Sequence, residues 1–268
     1  MANLEAWIDA VRREGYSAEN APARVCQDIV LKAIAAGDFS KRITIKGGVV
    51  MRSITGNTRR ATQDLDMDFI HYPLGESAVR SFIEGLNCLD GIRIEVTAPI
   101  EELSQQEYRG KRVYISIRDD TGHELRSKID LGVHKQMQIE QDEYCFDVCM
   151  DDEGVSLLIN SKEQMFAEKL RSLLRFGPLS TRYKDIYDLC YLAADVDRSR
   201  LIRCFDTYIF SDPGMREARM DDIRRRIHLT FQNRTFRQRL ERASGADWLN
   251  MEPSEACDRI ESFLMELD

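Results

Sequence analysis

Nothing in this sequence is built for a bilayer, a disulfide framework or a zinc site. No uninterrupted apolar run approaches the roughly 20 residues that a membrane-crossing helix needs. The opening Met-Ala-Asn-Leu-Glu-Ala-Trp-Ile-Asp lacks the basic start and apolar stretch of a secretory leader, so a cytoplasmic location with no membrane partner is expected. The seven cysteines (Cys26, Cys88, Cys145, Cys149, Cys190, Cys204, Cys257) are odd in number and include no Cys-x-x-Cys pair. Cys145 and Cys149 lie four apart, but no nearby Cys or His pair completes a zinc set, which leaves reduced, buried thiols. The four histidines, His71, His123, His134 and His228, are dispersed. There is no internal repeat and no low-complexity segment.

What is present is an ordinary globular composition, 43% hydrophobic and 31% charged, in 268 residues. That length suits one large domain or two modest ones with a real core. The net charge of -8 argues against a wholly basic nucleic-acid wrapper, but it is unevenly spread. Residues 1–160 hold 19 Lys+Arg against 27 Asp+Glu and carry all of it, while residues 161–268 hold 19 of each. Within the second half, residues 216–242 have nine arginines against four acids. An acidic front and an arginine-rich back suggest metal chemistry on one lobe and anion contact on the other.

The periodicity divides the chain in the same place. Leu4, Trp7, Ile8 and Val11 recur at helical spacing, and so do Val25, Cys26, Ile29, Val30, Ala33 and Ile34. Residues 42–46 form a short strand, and Gly47-Gly48 opens a helix over 49–54. Residues 64–70 alternate as a strand, and a helix follows around 77–86. Strand patterns come next at 92–98, 112–118, 125–133, 144–150 and 155–159. From Ser161 the period is helical throughout: a capping-box-like start at Ser161 for a helix to about Phe176, then helices at 182–195, 198–210, 216–228, 230–243 and 254–267. The expected class is α+β. Residues 1–160 make an α/β lobe with a mixed sheet and N-terminal helices, and residues 161–268 make a helical bundle.

Asp64, Asp66 and Asp68 are spaced by two, which on a strand puts all three on one face while Leu65, Met67 and Phe69 face the core. Such carboxylates repel one another unless a cation neutralises them, and hard divalent ions such as Mg²⁺ bind carboxylate oxygen while keeping sites for substrate phosphates. The alternative is a solvated strand face. Upstream, Lys46-Gly47-Gly48 joins a strand to a helix start, where close backbone approach and unpaired N–H groups suit a phosphate. Downstream, Arg126, Lys128 and Asp130 share the polar side of another strand, which makes Asp130 a third candidate carboxylate. A phosphate cradle, a carboxylate pair and a third acid are the parts that metal-assisted phosphoryl or nucleotidyl transfer needs. In the helical half, Lys169 falls inside the stripe of Met165, Phe166, Leu170, Leu173 and Leu174, where an ammonium needs a partner or a cleft. Arg182 and Asp185 fall within the stripe of Ile186, Leu189 and Leu192, with Asp188 flanking it. Lys169 or Arg182 pairing with Asp185 to lock two helices is the plainer reading, and it is compatible with a functional one.

These residues resemble four ordered motifs of the AbiEii/AbiGii toxin-family nucleotidyltransferases. Lys46-Gly47-Gly48 through Arg52, followed by Arg60 through Asp64 and Asp66, is similar to the first motif, and Lys128-Ile129-Asp130 to the second. Phe166 through Arg175 resembles the third and Arg182 through Leu189 the fourth. The set spans about residues 46–192. The resemblance implies a polymerase-beta-like nucleotidyltransferase lobe joined to a helical bundle that completes the active-site cleft. It implies the toxin half of a bacterial toxin–antitoxin or abortive-infection system with a cognate antitoxin. It also implies a nucleoside triphosphate substrate and, for some members, the 3′ end of tRNA. Carried over by residue, Asp64, Asp66 and Asp130 would bind Mg²⁺ (or Mn²⁺). Asp64, Asp66, Asp130, Lys169 and Asp185 would be catalytic, and Lys46, Gly47, Gly48, Lys169, Arg182 and Asp188 would bind the nucleotide. Many members place Ser or Thr in or after the glycine pair, where this chain has Gly48-Val49; Asp68 is an extra acid. Two alternatives stay open beside RNA modification: a small-molecule or protein-side-chain acceptor, and a non-catalytic nucleotide-binding module.

Overall fold

The protein is described by a computed structural model over residues 2–103 and 110–267. It divides into two compact units, Met1–Asn160 and Ser161–Asp268. The first opens with α1 (Leu4–Arg13) and α2 (Asn20–Ala36), then β1 (Ile43–Lys46), α3 (Gly47–Thr55), β2 (Leu65–Phe69) and α4 (Glu76–Gly85). The strands β3 (Ile92–Val96), β4 (Glu101–Leu103), β5 (Gly110–Asp119), β6 (Glu124–Val133), β7 (Asp142–Val148) and β8 (Asp151–Ile159) follow. One mixed sheet in the order β3-β5-β6-β2-β1-β8-β7 contains them, with β4 also paired to β5. β2 runs antiparallel to β1 and parallel to β6.

Alternation decides the two sheet faces. Ile43, Ile45, Leu65, Met67, Phe69, Val113, Ile115, Ile129 and Leu131 are all buried. Against them lie α2, which packs on β6, β7 and β8, and α4, which packs on β3. Phe39, Phe69, Tyr72 and Phe82 close one end of this core with edge-to-face ring contacts. The other face carries the charged positions. Two expectations need correction here. The strand placed at 92–98 stops at Val96, and a three-residue strand, β4, stands where none was expected. Glu101-Glu102-Leu103 is too short and too acidic to show alternation; it pairs antiparallel with β5.

α2 also buries charge. Asp28, fully buried, lies 2.7 Å from Arg24 and 3.6 Å from the equally buried Arg52 on α3, and accepts the Cys149 N–H at 3.0 Å. Burial pushes the Asp28 carboxyl up to about 7, against the pull of Arg24. A carboxyl raised in the folded state holds its proton there after the unfolded chain has lost it, so folding weakens as pH rises between the two values. Stability is therefore expected to fall from about pH 4 to about pH 7 by up to about 1.4 kcal/mol per pH unit from this group. Urea titrations across that range check it: Asp28→Asn should flatten the slope, and an unchanged slope would assign it elsewhere.

The second unit contains α5 (Lys162–Phe176), α6 (Tyr183–Leu192), α7 (Arg198–Phe205), α8 (Met220–Gln232), α9 (Arg234–Glu241) and α10 (Pro253–Met265). Ser161 caps α5 by accepting the Gln164 N–H, Asp197 caps α7 and Asn233 caps α9. Phe166, Leu170, Phe205, Ile227, Phe231, Phe236, Trp248 and Ile260 form its core. The helix expected over 198–210 is α-helical only to Phe205 and continues as a π turn over Asp206–Phe210. The one expected at 216–228 starts at Met220, because Arg219 is extended (φ -158, ψ 167), and runs on to the Asn233 cap. No helix among the described residues is long and apolar enough to cross a membrane.

Candidate active site

The charged face of the sheet is organised in rows by strand register. Lys46 on β1 stands opposite Asp66 on β2, Asp66 opposite Asp130 on β6, and Asp130 opposite Arg112 on β5. Two carboxylates thus sit side by side between two cations. Like charges directly opposite each other are unfavourable, and the flanking cations offset that cost. Arg112 grips Asp130 through two hydrogen bonds of 2.7 Å each. The hydrogen bond to Asp130 holds the Arg112 guanidinium above its ordinary range.

The neighbouring rows complete the pattern. Asp64, just ahead of β2, lies 2.9 Å from Lys128, and Asp68 lies 2.6 Å from Lys46. Asp64 is partly exposed, whereas Asp68 is buried. The expected common face therefore holds, but the three acids have different surroundings. Asp68, the acid without a role in the sequence reading, anchors Lys46. Gly132, opposite Asp68, makes this possible: a Cβ there would fall on the Asp68 Oδ1 and within 3.5 Å of the Lys46 Nζ. Among the described residues, no three His, Cys, Asp or Glu side chains are grouped as a metal set.

The glycine pair is fixed by its neighbours. Gly47 has φ +68, and a Cβ on it would stand 2.6 Å from Asp66 Oδ2. A Cβ on Gly48 would stand 2.7 Å from both Cβ and Oγ1 of Thr62. The departure from Ser or Thr at this pair has a local reason: Thr62 fills the space that a side chain at 48 would need. Val49, which follows, is core. The Lys46 side chain does not cap the start of α3. The loop carrying Thr62 and Asp64 is tied to α2 by Gln27, whose buried amide donates to the Thr62 carbonyl at 2.9 Å and to the Asp64 carbonyl at 3.4 Å.

The helical unit has its own cluster. Lys169 on α5 reaches Asp185 at 2.6 Å and Asp188 at 2.8 Å on α6, with its side chain 11% exposed. Trp248 donates its indole N–H to Asp188 at 3.0 Å, so a fully buried carboxylate is met from two sides. The lysine in the apolar stripe does find partners. Two positions need correction: Arg182 was expected inside the α6 stripe and Asp188 on its flank. Arg182 precedes the helix with non-helical backbone (φ -87, ψ 62) and is 69% exposed, 4.0 Å from Asp185, while Asp188 points fully inward.

Sequence reasoning missed Gln27, Thr62, Arg112, Gly132 and Trp248. Arg112 could have been found, since it lies on a strand expected to pair within the sheet. Nothing in the local pattern announces the other four, whose roles depend on register or on contacts far along the chain.

The model of the family described as nucleotidyl transferase AbiEii toxin, type IV TA system, matches residues 29–255. No curated protein matches the chain. Among solved structures, an antigenic nucleotidyltransferase-like protein from Paracoccidioides brasiliensis is similar at a TM-score of 0.46 and 13% identity, covering 84% of this chain and 94% of that one. With the family model spanning both the carboxylate strand and the Lys169 cluster, the chain belongs to the AbiEii nucleotidyltransferase toxins of type IV toxin–antitoxin systems.

Proposed function

We propose that the protein is a Mg²⁺-dependent toxin that transfers a nucleotide from a nucleoside triphosphate to RNA, with the tRNA 3′ end as acceptor. Membership of a toxin–antitoxin family implies an antitoxin as partner. The observation that carries the reading is the in-register row of Lys46, Asp66, Asp130 and Arg112 beside the glycine start of α3.

The residues suit the ion. All candidate donors are carboxylate oxygens, and Mg²⁺ characteristically takes one or two of these together with water and substrate phosphates. The missing Cβ of Gly47 lets Asp66 Oδ2 lie against the backbone at the start of α3. Asp64 and Asp66 would hold Mg²⁺ (or Mn²⁺), and Asp130 would join them on giving up hydrogen bonds to Arg112. When bound, the ion would supply charge neutralisation at the transferring phosphate and at the leaving pyrophosphate. Gly47 and Gly48 would present backbone N–H groups to the phosphates at the helix start, and Lys46, fixed by Asp68, would add positive charge. In the helical unit, Lys169, Arg182 and Asp188 are the proposed nucleotide contacts and Asp185 the proposed base or acceptor-positioning group, as the family resemblance implies.

The test is to incubate the protein with each α-labelled triphosphate, Mg²⁺ and purified tRNA, with total protein and small-molecule extracts as rival acceptors. Label in tRNA 3′ fragments, lost on chelation, is the expected result. Label confined to protein or small molecules would overturn the acceptor, and tight nucleotide binding without any turnover would overturn the activity.

A further inference from the structure

The second unit contains a cavity of about 440 Å³, of whose lining the motifs cover only Leu174 and Arg175. Four arginines line it: Arg175 from the end of α5, Arg216 ahead of α8, and Arg225 and Arg226 on α8. Arg226 is a fixed wall, donating to the Leu174 carbonyl at 3.3 Å with its guanidinium lying against Gly177, where a Cβ would stand 2.7 Å from Nη2. Arg175, Arg216 and Arg225 are exposed. Glu217 and Asp222 are the acids of the lining, so arginines outnumber them two to one. Glu217 is buried and accepts its neighbour's backbone N–H, that of Arg216, at 3.2 Å. Asp222 lies 3.1 Å from Arg225 and 3.9 Å from Arg219.

Four guanidinium groups against two carboxylates give the cavity a positive potential that attracts an anion. The size of that anion can be read from the surroundings. In sequence the basic tract continues beyond the cavity lining through the exposed Arg219, Arg234, Arg239 and Arg242, in a chain whose net charge is -8. A single phosphate would engage only the cavity, whereas a polyanion would use the whole tract. Leu229 in the lining is 58% exposed and Phe176, one residue beyond Arg175, is 48% exposed. Apolar and aromatic surface interleaved with arginine suits unstacked bases beside a phosphate backbone rather than an acidic peptide.

We propose that this cavity, centred on Arg216 and Arg225, binds the phosphate backbone of the RNA acceptor. It rests on the reading that RNA is the acceptor, and it deepens that reading by naming the surface that holds it.

The test uses the full chain and 5′-labelled total tRNA, with dissociation constants measured over a series of salt concentrations. Arg216→Ala/Arg225→Ala should raise Kd roughly tenfold and flatten the plot of log K against log salt by about 1.4 to 1.8, the slope of two lost phosphate contacts. Arg12→Ala/Arg13→Ala, the same charge change on α1, should match the wild type. Asp222→Asn should tighten binding severalfold, a gain that misfolding cannot produce. If the cavity variant binds as the α1 variant does while the wild type still labels tRNA, the cavity assignment falls and the acceptor reading stands. If the cavity variant loses binding but the wild type labels no RNA, the cavity stands and the acceptor reading falls. Absence of wild-type binding, or displacement of tRNA by poly-glutamate at equal charge, would overturn the assignment.

Discussion

Asp66→Asn should lower nucleotide transfer at least about a thousandfold while leaving the fold intact, a loss of about 4 kcal/mol of transition-state stabilisation. Asp66 is the one acid of its strand that stands directly beside both Lys46 and Asp130 in the sheet register, and its Oδ2 occupies the space left by Gly47. Asparagine keeps the shape and removes the charge, so thermal unfolding should move little while labelled-nucleotide transfer collapses. Asp64→Asn should behave similarly, because Asp64 is partly open to solvent and pairs at the surface with Lys128. Asp68→Asn should differ in kind. Its buried carboxylate holds Lys46, so the variant should lose stability and show a raised KM for the triphosphate before it loses kcat. Transfer by Asp66→Asn within about tenfold of the wild type would remove Asp66 from the proposed chemistry.

The contrast among these three aspartates marks how far the sequence could be read. Spacing by two was enough to place Asp66 and Asp68 on one face and Leu65, Met67 and Phe69 in the core, because a strand leaves side chains no other choice. The helices of the second unit were legible for the same kind of reason, since apolar stripes and caps such as Ser161 are local. What spacing does not carry is the partner strand. That Asp66 faces Asp130 depends on the parallel β2–β6 register: a shift of one residue would have set it against Ile129 or Leu131, and a shift of two against Lys128. Gly132 looks like any glycine until register sets it opposite Asp68. Arg182 was misplaced because its helix begins one residue later, and a residue outside the first turn does not follow the wheel. Thr62 and Gly48 show the same limit. The sequence shows only that Gly48 stands where many members have Ser or Thr in or after the pair, whereas the space there already belongs to Thr62.

Lys169→Ala should be the most destabilising single change in the helical unit, at about 3–5 kcal/mol, because it removes the largely buried cation that balances two carboxylates. Asp188 is fully buried and Asp185 is only 14% exposed, and Lys169 is within 2.8 Å of both. A loss of transfer in this variant would therefore say nothing by itself about chemistry, since much of the protein would be unfolded at the assay temperature. Charge bookkeeping offers a way out. Asp188→Asn keeps an oxygen to accept the Trp248 indole N–H but removes the charge that Lys169 balances. Lys169→Ala/Asp188→Asn should accordingly be more stable than Lys169→Ala alone, recovering about half of the loss or more. Denaturant titrations of the wild type, both single variants and the double variant close the cycle. A double variant no more stable than Lys169→Ala would mean that packing, not charge, sets the cost. If the double variant folds like the wild type and transfers no nucleotide while Asp188→Asn alone still does, the lysine ammonium is needed for the reaction itself. If transfer returns with stability, the cluster is a clasp between α5 and α6 and nothing more.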